Sequence, residues 1–143
     1  MDMTYTGRCA CGAVSATITG EPARVGQCWC SQCQKSAAGS PTSNAIFDVS
    51  DVTVVGALGR YTYEADSGNT VYQDFCPKCG SAVLGSTKAR PQFVGFRLGF
   101  LDPDHGLKPT IALWTSEAPD WAVIDPSLEQ YERQPPPPQS RPD

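Results

Sequence analysis

Seven cysteines constrain this chain more than any other feature, and their spacing divides them into groups. Three fall within Cys28-Trp29-Cys30-Ser31-Gln32-Cys33. Two lie upstream, in Gly7-Arg8-Cys9-Ala10-Cys11-Gly12, and two downstream, in Cys76-Pro77-Lys78-Cys79-Gly80. An odd count fits a disulfide framework badly. The first residues, Met1 to Gly7, carry neither the basic nor the apolar region of a signal peptide, so the expected compartment is the reducing cytosol. Thiolates held there bind metal rather than one another. In Cys76-x-x-Cys79 two sulfurs can reach one ion across a tight turn, which Pro77 presets. Gly80 admits the positive φ that lets N–H groups face those sulfurs. Cys9 and Cys11 stand at i and i+2, on one face of an extended chain, and converge if the backbone bends. Gly7 and Gly12 flank them and permit the bend. Cys9, Cys11, Cys76 and Cys79 are therefore expected to close one tetrahedral zinc site, which supplies folding energy.

Cys28, Cys30 and Cys33 leave three readings open. Three thiolates on zinc keep one corner free for water or substrate, as in a catalytic site. A fourth ligand from elsewhere would close the site and make it structural. Metal-free redox thiols are the third reading; Cys30-x-x-Cys33 has that spacing, but no βαβ pattern surrounds it. On the open-site reading, an entering thiol loses its proton and becomes a nucleophile at neutral pH. A small aldehyde is then a natural target. Soft thiolate ligands favour sulfur over oxygen, so hydrolysis ranks behind thiol chemistry. The sole histidine, His105, sits in the polar turn Asp102-Pro103-Asp104-His105-Gly106 and reads as a surface residue.

The chain of 143 residues is one domain in length, expected over residues 1–132. Thirteen glycines and thirteen prolines favour turns and short strands. Val14-Ser15-Ala16-Thr17-Ile18 alternates as a half-buried strand does. Residues 24–28 form a strand that delivers Cys28, and Ser31 to Ala38 one or two helical turns. Ala45–Phe47, Val52–Val55, Ser81–Leu84, Phe93–Leu98, Ile111–Trp114 and Trp121–Ile124 read as further strands. Tyr61–Tyr63 and Thr70–Phe75 flank Asp66-Ser67-Gly68-Asn69 as a β-hairpin. Trp114 and Trp121 read as core or rim aromatics. Residues 133–143 carry four consecutive prolines and read as a disordered, polyproline-like tail. A net charge of −4 and a pI near 4.9 argue against a nucleic-acid surface, and no apolar stretch approaches a membrane span.

Taken together, Gly7-x-Cys9-x-Cys11-Gly12-x-Val14, Gly20-Glu21-Pro22, Cys28-x-Cys30-x-x-Cys33-Gln34-Lys35, Gly39-Ser40-Pro41 and Phe75-Cys76-x-x-Cys79-Gly80 resemble the glutathione-dependent formaldehyde-activating enzyme family, which includes centromere protein V homologues. The resemblance spans roughly residues 5–132. It implies a small, mainly β zinc fold, similar to that of a Rab-GTPase exchange factor, with at most one or two short helical turns. It implies two zinc ions per chain: a structural one on Cys9, Cys11, Cys76 and Cys79, and a catalytic one on Cys28, Cys30 and Cys33. The implied reaction is that of a carbon–sulfur lyase, joining glutathione as co-substrate with formaldehyde to give S-hydroxymethylglutathione, or the reverse. Many members have His where this chain has Trp29, a position that is not a ligand, so the departure bears on the pocket more than on the metal. No motif marks glutathione-binding residues. Lys35, Arg60 and Arg97 could pair with its carboxylates, although each reads first as a surface cation. The alternative is a non-enzymatic, zinc-stabilised β module that binds a protein partner; it requires a central cluster that is closed or empty.

Overall fold

The computed structural model describes residues 3–139. The strands are β1 (Thr4–Arg8), β2 (Ser15–Thr19), β3 (Arg24–Cys28), β4 (Thr42–Asp48), β5 (Val52–Val55), β6 (Gly59–Glu64), β7 (Thr70–Phe75), β8 (Ala82–Thr87), β9 (Phe93–Arg97), β10 (Ile111–Leu113) and β11 (Glu129–Gln130). One α-helix, α1 (Ser31–Ser36), stands among the described residues. The protein is thus mainly β, as its turn-rich composition implies. Two sheets form, a three-stranded one in the order β1-β2-β5 and an eight-stranded one in the order β11-β10-β3-β4-β9-β8-β7-β6.

The alternation in the sequence explains how the sheets meet. Tyr5 on β1, and Ala16 and Ile18 on β2, turn inward and are buried. On β4 and β9 the inward set is Ala45, Phe47 and Phe96. The Phe47 ring lies 5.6 Å from Tyr5 and 6.2 Å, edge-on, from Phe96. Such tilted pairs suit the aromatic quadrupole, and each fully buried Phe contributes about 2–3 kcal/mol of transfer free energy.

Two glycines make this packing possible in different ways. Gly7 is an ordinary strand residue paired with Ala16, and a Cβ there would meet the Phe100 carbonyl oxygen at 2.6 Å. It serves close packing and not the expected bend, which falls to Gly12 alone, at φ 79°. Gly56 has φ 110°, and a Cβ there would lie 2.2 Å from the Ala13 oxygen, so the chain beside the Cys9–Cys11 turn admits no side chain.

The expected strand at Trp121–Ile124 does not form. Trp121 and Val123 are 72% and 90% exposed. The free edge of β10 is taken by residues 129–131 instead, through Glu129 N–H to Thr110 O and Tyr131 N–H to Ala112 O. β-propensity without a sheet edge to pair with yields only loop. The proline-rich segment begins attached to the domain. Trp114 N–H donates to Arg133 O, Trp114 Nε1 donates to Gln134 Oε1, and Pro135 is buried. Residues 140–143 of the expected tail lie outside the described residues.

Candidate metal centres

Cys9 and Cys11 follow β1, and Cys76 and Cys79 occupy the turn between β7 and β8. Both turns end in a left-handed glycine. Gly12 N–H donates to Cys9 O at 3.0 Å, and Gly80, at φ 78°, donates to Cys76 O at 2.8 Å. The four sulfurs all lie within 4.8 Å of one another. Cys9 and Cys11 Sγ are 3.7 Å apart, and Cys11 and Cys76 Sγ 3.8 Å. A tetrahedron with zinc–sulfur bonds of ~2.3 Å has sulfur–sulfur edges of about 3.8 Å. The donor set therefore fits zinc in number, chemistry and spacing. Disulfides would need sulfurs roughly 2 Å apart, and all seven cysteines are free.

Hydrogen-bond donors face these sulfurs. Val14 N–H reaches Cys9 Sγ at 3.2 Å, and Ser81 Oγ lies 3.2 Å from Cys79 Sγ. The Ser81 hydroxyl, its N–H and the Cys11 N–H hold the Cys79 thiol down to about 5, so it is poised as a thiolate.

The second centre is built locally. Cys28 ends β3, Cys30 caps the N-terminus of α1, and Cys33 lies one turn into that helix. Their sulfurs also lie within 4.8 Å of one another. Among the described residues no fourth Cys, His, Asp or Glu joins them at that range. His105 is elsewhere, its Nδ1 accepting from Leu107 N–H at 2.8 Å. The closed form of the partner-binding alternative calls for a fourth protein ligand, and among the described residues none is found at that range.

The charges at this centre are shared unevenly. Cys33 is held down to about 3 by the thiols of Cys28 and Cys30, with further help from the Thr42 hydroxyl and the Arg97 charge. Cys28 is pushed up by its contacts with Cys30 and Cys33 and by burial. Three crowded thiols thus ionise one at a time, which is the condition a bound cation relieves. Cys33 N–H also donates to Cys30 Sγ at 3.3 Å.

Three further residues converge here, and none follows from a motif. Thr42 is buried and pairs with Cys28 in register. Tyr63, on β6, has its phenol held protonated by burial and by the negative charge of Cys30 and Cys33, and Gln73 hydrogen-bonds it. Arg97 is half-buried rather than a surface cation. The other two cations differ: Lys35 is exposed on α1, and Arg60 is paired with the buried Asp74 at 2.8 Å. Trp29 is 4% exposed and lines neither of the two cavities beside the centre. Its backbone holds the stretch in place, with N–H to Leu113 O at 2.9 Å and its carbonyl accepting from Gln34 at 2.7 Å.

The model of the family described as "Glutathione-dependent formaldehyde-activating enzyme" matches residues 4–117. The chain belongs to this family. It is 30% identical over 134 residues to a Halomonas elongata protein named "Putative glutathione-dependent formaldehyde-activating enzyme", covering 90% of this chain and 85% of that protein. Its fold is similar to the crystal structure of a Rhodobacter sphaeroides protein, with TM-score 0.55 and 27% identity, over 73% of this chain and 91% of that one. The family match ends after Glu117 and so includes both cysteine centres but neither Trp121 nor the proline-rich segment. Among the described residues no helix is long and apolar enough to cross a membrane.

Proposed function

We propose that this protein joins a small thiol, glutathione, to formaldehyde, giving S-hydroxymethylglutathione, and runs the reverse as a carbon–sulfur lyase. The observation that carries this reading is the three-sulfur centre of Cys28, Cys30 and Cys33, with no fourth protein ligand among the described residues. Cys9, Cys11, Cys76 and Cys79 would hold the structural zinc, and Cys28, Cys30 and Cys33 the catalytic one. A zinc ion bound by the three supplies Lewis acidity and a free coordination position for a thiol.

The chain's own residues supply the rest. Thr42 and the Cys33 N–H donate to the ligand sulfurs and fix their directions. Tyr63, as a phenol, carries its proton at neutral pH, and burial and the thiolate charges hold it further above its usual value. It is thereby a hydrogen-bond donor for the aldehyde oxygen. The reaction balances without a redox partner: a carbon–sulfur bond forms, the carbonyl π bond breaks, and the thiol proton ends on the new hydroxyl.

The test is formaldehyde consumption by the zinc-loaded protein, followed by NMR exchange between formaldehyde and its glutathione adduct. Exchange is expected to exceed the spontaneous rate, and to fall to that rate in Cys30→Ser. Equal rates with and without the wild-type protein would end this reading.

A further inference from the structure

The strand register gathers an unassigned cationic site beside the three-sulfur centre. Thr42 pairs with Cys28, and Asn44 pairs with Arg97 and with Gly26. Arg97 stands two residues beyond Gly95, which pairs with Gly85; Gly85 pairs with Gln73, and Gln73 with Tyr61. Since side chains alternate along a strand, Cys28, Thr42, Asn44, Arg97, Gln73 and Tyr61 share one face of the large sheet. The opposite face carries the apolar core of Ala45, Phe96 and Leu84. Gly85 and Gly95 lie on the floor of this face, where the Ile46 side chain packs over Gly95.

Arg97 lies across that floor. A Cβ at Gly85 would be 3.2 Å from Arg97 Nη2. Nη1 donates to Asn44 Oδ1, which fixes the guanidinium, while Nε is buried with no partner. No carboxylate pairs with Arg97 among the described residues; the ion pair there is Arg60 with Asp74. Two cavities, of about 530 and 170 Å³, meet at Arg97, Ser36 and Ala82. The larger holds a second cation, Arg8, and no acidic residue; Asp74 lines the smaller, where its carboxylate is taken by Arg60. Thr42 lines it too, and so connects it to Cys33.

A guanidinium that is held by an amide, turned toward an open cavity and left without a carboxylate suits an arriving anion. Its fork matches a carboxylate through two parallel hydrogen bonds. We infer that Arg97 is a specificity-determining residue that receives a carboxylate of the thiol substrate in the cavity between the two cysteine centres, selecting anionic thiols over neutral ones. This rests on the thiol–aldehyde reading above and assigns the recognition that reading lacks.

The competing role for Arg97 is purely internal, as a counter-charge to the Cys28–Cys30–Cys33 sulfurs, and the test separates the two. Binding of S-methylglutathione and of its diethyl ester is measured by calorimetry on zinc-loaded wild type, Arg97→Gln, Arg97→Lys and Lys35→Gln. Zinc per chain is measured on each, and KM and kcat with glutathione and with glutathione diethyl ester. Arg97→Gln is expected to weaken S-methylglutathione at least about tenfold and to raise the glutathione KM similarly, with a smaller change in kcat. The esters should not distinguish it from wild type, and zinc should stay at two per chain. Arg97→Lys keeps the charge but loses the fork, so an intermediate loss is expected, and it carries the test if Arg97→Gln fails to fold. Lys35→Gln should match wild type. Wild-type affinity in Arg97→Gln, equal losses for acid and ester, or loss of the second zinc would overturn the inference. The parent reading fails separately: selective carboxylate binding without glutathione-dependent turnover would sink the reaction and spare the anchor. Turnover with no preference for acid over ester would do the reverse.

Discussion

The two cysteine centres use the same ligand atom and are built in opposite ways. The four-sulfur centre joins turns far apart in the chain; Cys11 and Cys76, 65 positions apart, have sulfurs 3.8 Å from each other. It ties the strand β1 of the small sheet to the β7–β8 corner of the large one. The three-sulfur centre closes only the short stretch from Cys28 to Cys33 at the junction of β3 and α1. Loop-closure entropy grows with the length of chain closed, so metal at the first site constrains the unfolded chain far more than metal at the second. On the reading proposed above, the first would hold the fold, and the second would gain or lose a ligand without dismantling it.

The largest effect should come from breaking the long-range site. Cys79→Ser removes one corner of a closed tetrahedron, and structural zinc contributes folding free energy on the order of 10 kcal/mol. Soluble expression, or the cooperative thermal transition seen by circular dichroism, should be lost. A folded Cys79→Ser protein would mean that the corner is held by something other than metal.

A titration with a strong chelator sharpens the same contrast in one sample. Zinc should leave in two steps. The first should proceed without change in far-UV circular dichroism and the second with unfolding. A single step in which metal and secondary structure disappear together would erase the distinction between the sites.

Smaller effects are expected inside the three-sulfur centre. Thr42→Val keeps the shape of a buried side chain but removes the hydroxyl that supports Cys33. A hydrogen bond to a charged group contributes about 1.5–3 kcal/mol, so zinc affinity at that centre should fall roughly tenfold to a hundredfold, while the four-sulfur centre keeps its metal. Competition with a chromophoric chelator reads both. Tyr63→Phe should leave both affinities intact and lower turnover about a hundredfold, as loss of one donor to a developing charge does. Because the Tyr63 phenol is held above its usual value near 10, the wild-type rate should show no loss from its ionisation even up to about pH 10.

Much of this was legible in the sequence for a specific reason. Cysteine ligands at short spacing announce themselves, and Pro77, Gly80 and Gly12 mark the turns they need. The strands that alternate cleanly, such as the one bearing Ala16 and Ile18, also appear where expected. Thr42 and Tyr63 were not legible, and Arg97 stood out only as one of three cations that could meet a carboxylate, because these residues reach the site through register. Arg97 meets Asn44 across 53 positions, and nothing in either local sequence records that pairing. The strand read at Trp121–Ile124 failed for a related reason: propensity is local, whereas a free sheet edge is a property of the assembled fold. Gly7 was read for flexibility, yet its lack of a side chain matters because Phe100 is packed against it.

Metal content measured together with folding in Cys30→Ser tests the division of labour most directly. Zinc per chain should fall from two in the wild type to one, with unchanged circular dichroism, an unchanged cooperative melt within a few degrees, and no glutathione-dependent formaldehyde exchange. A Cys30→Ser protein that is unfolded, or that retains two zinc ions and full exchange activity, would contradict it.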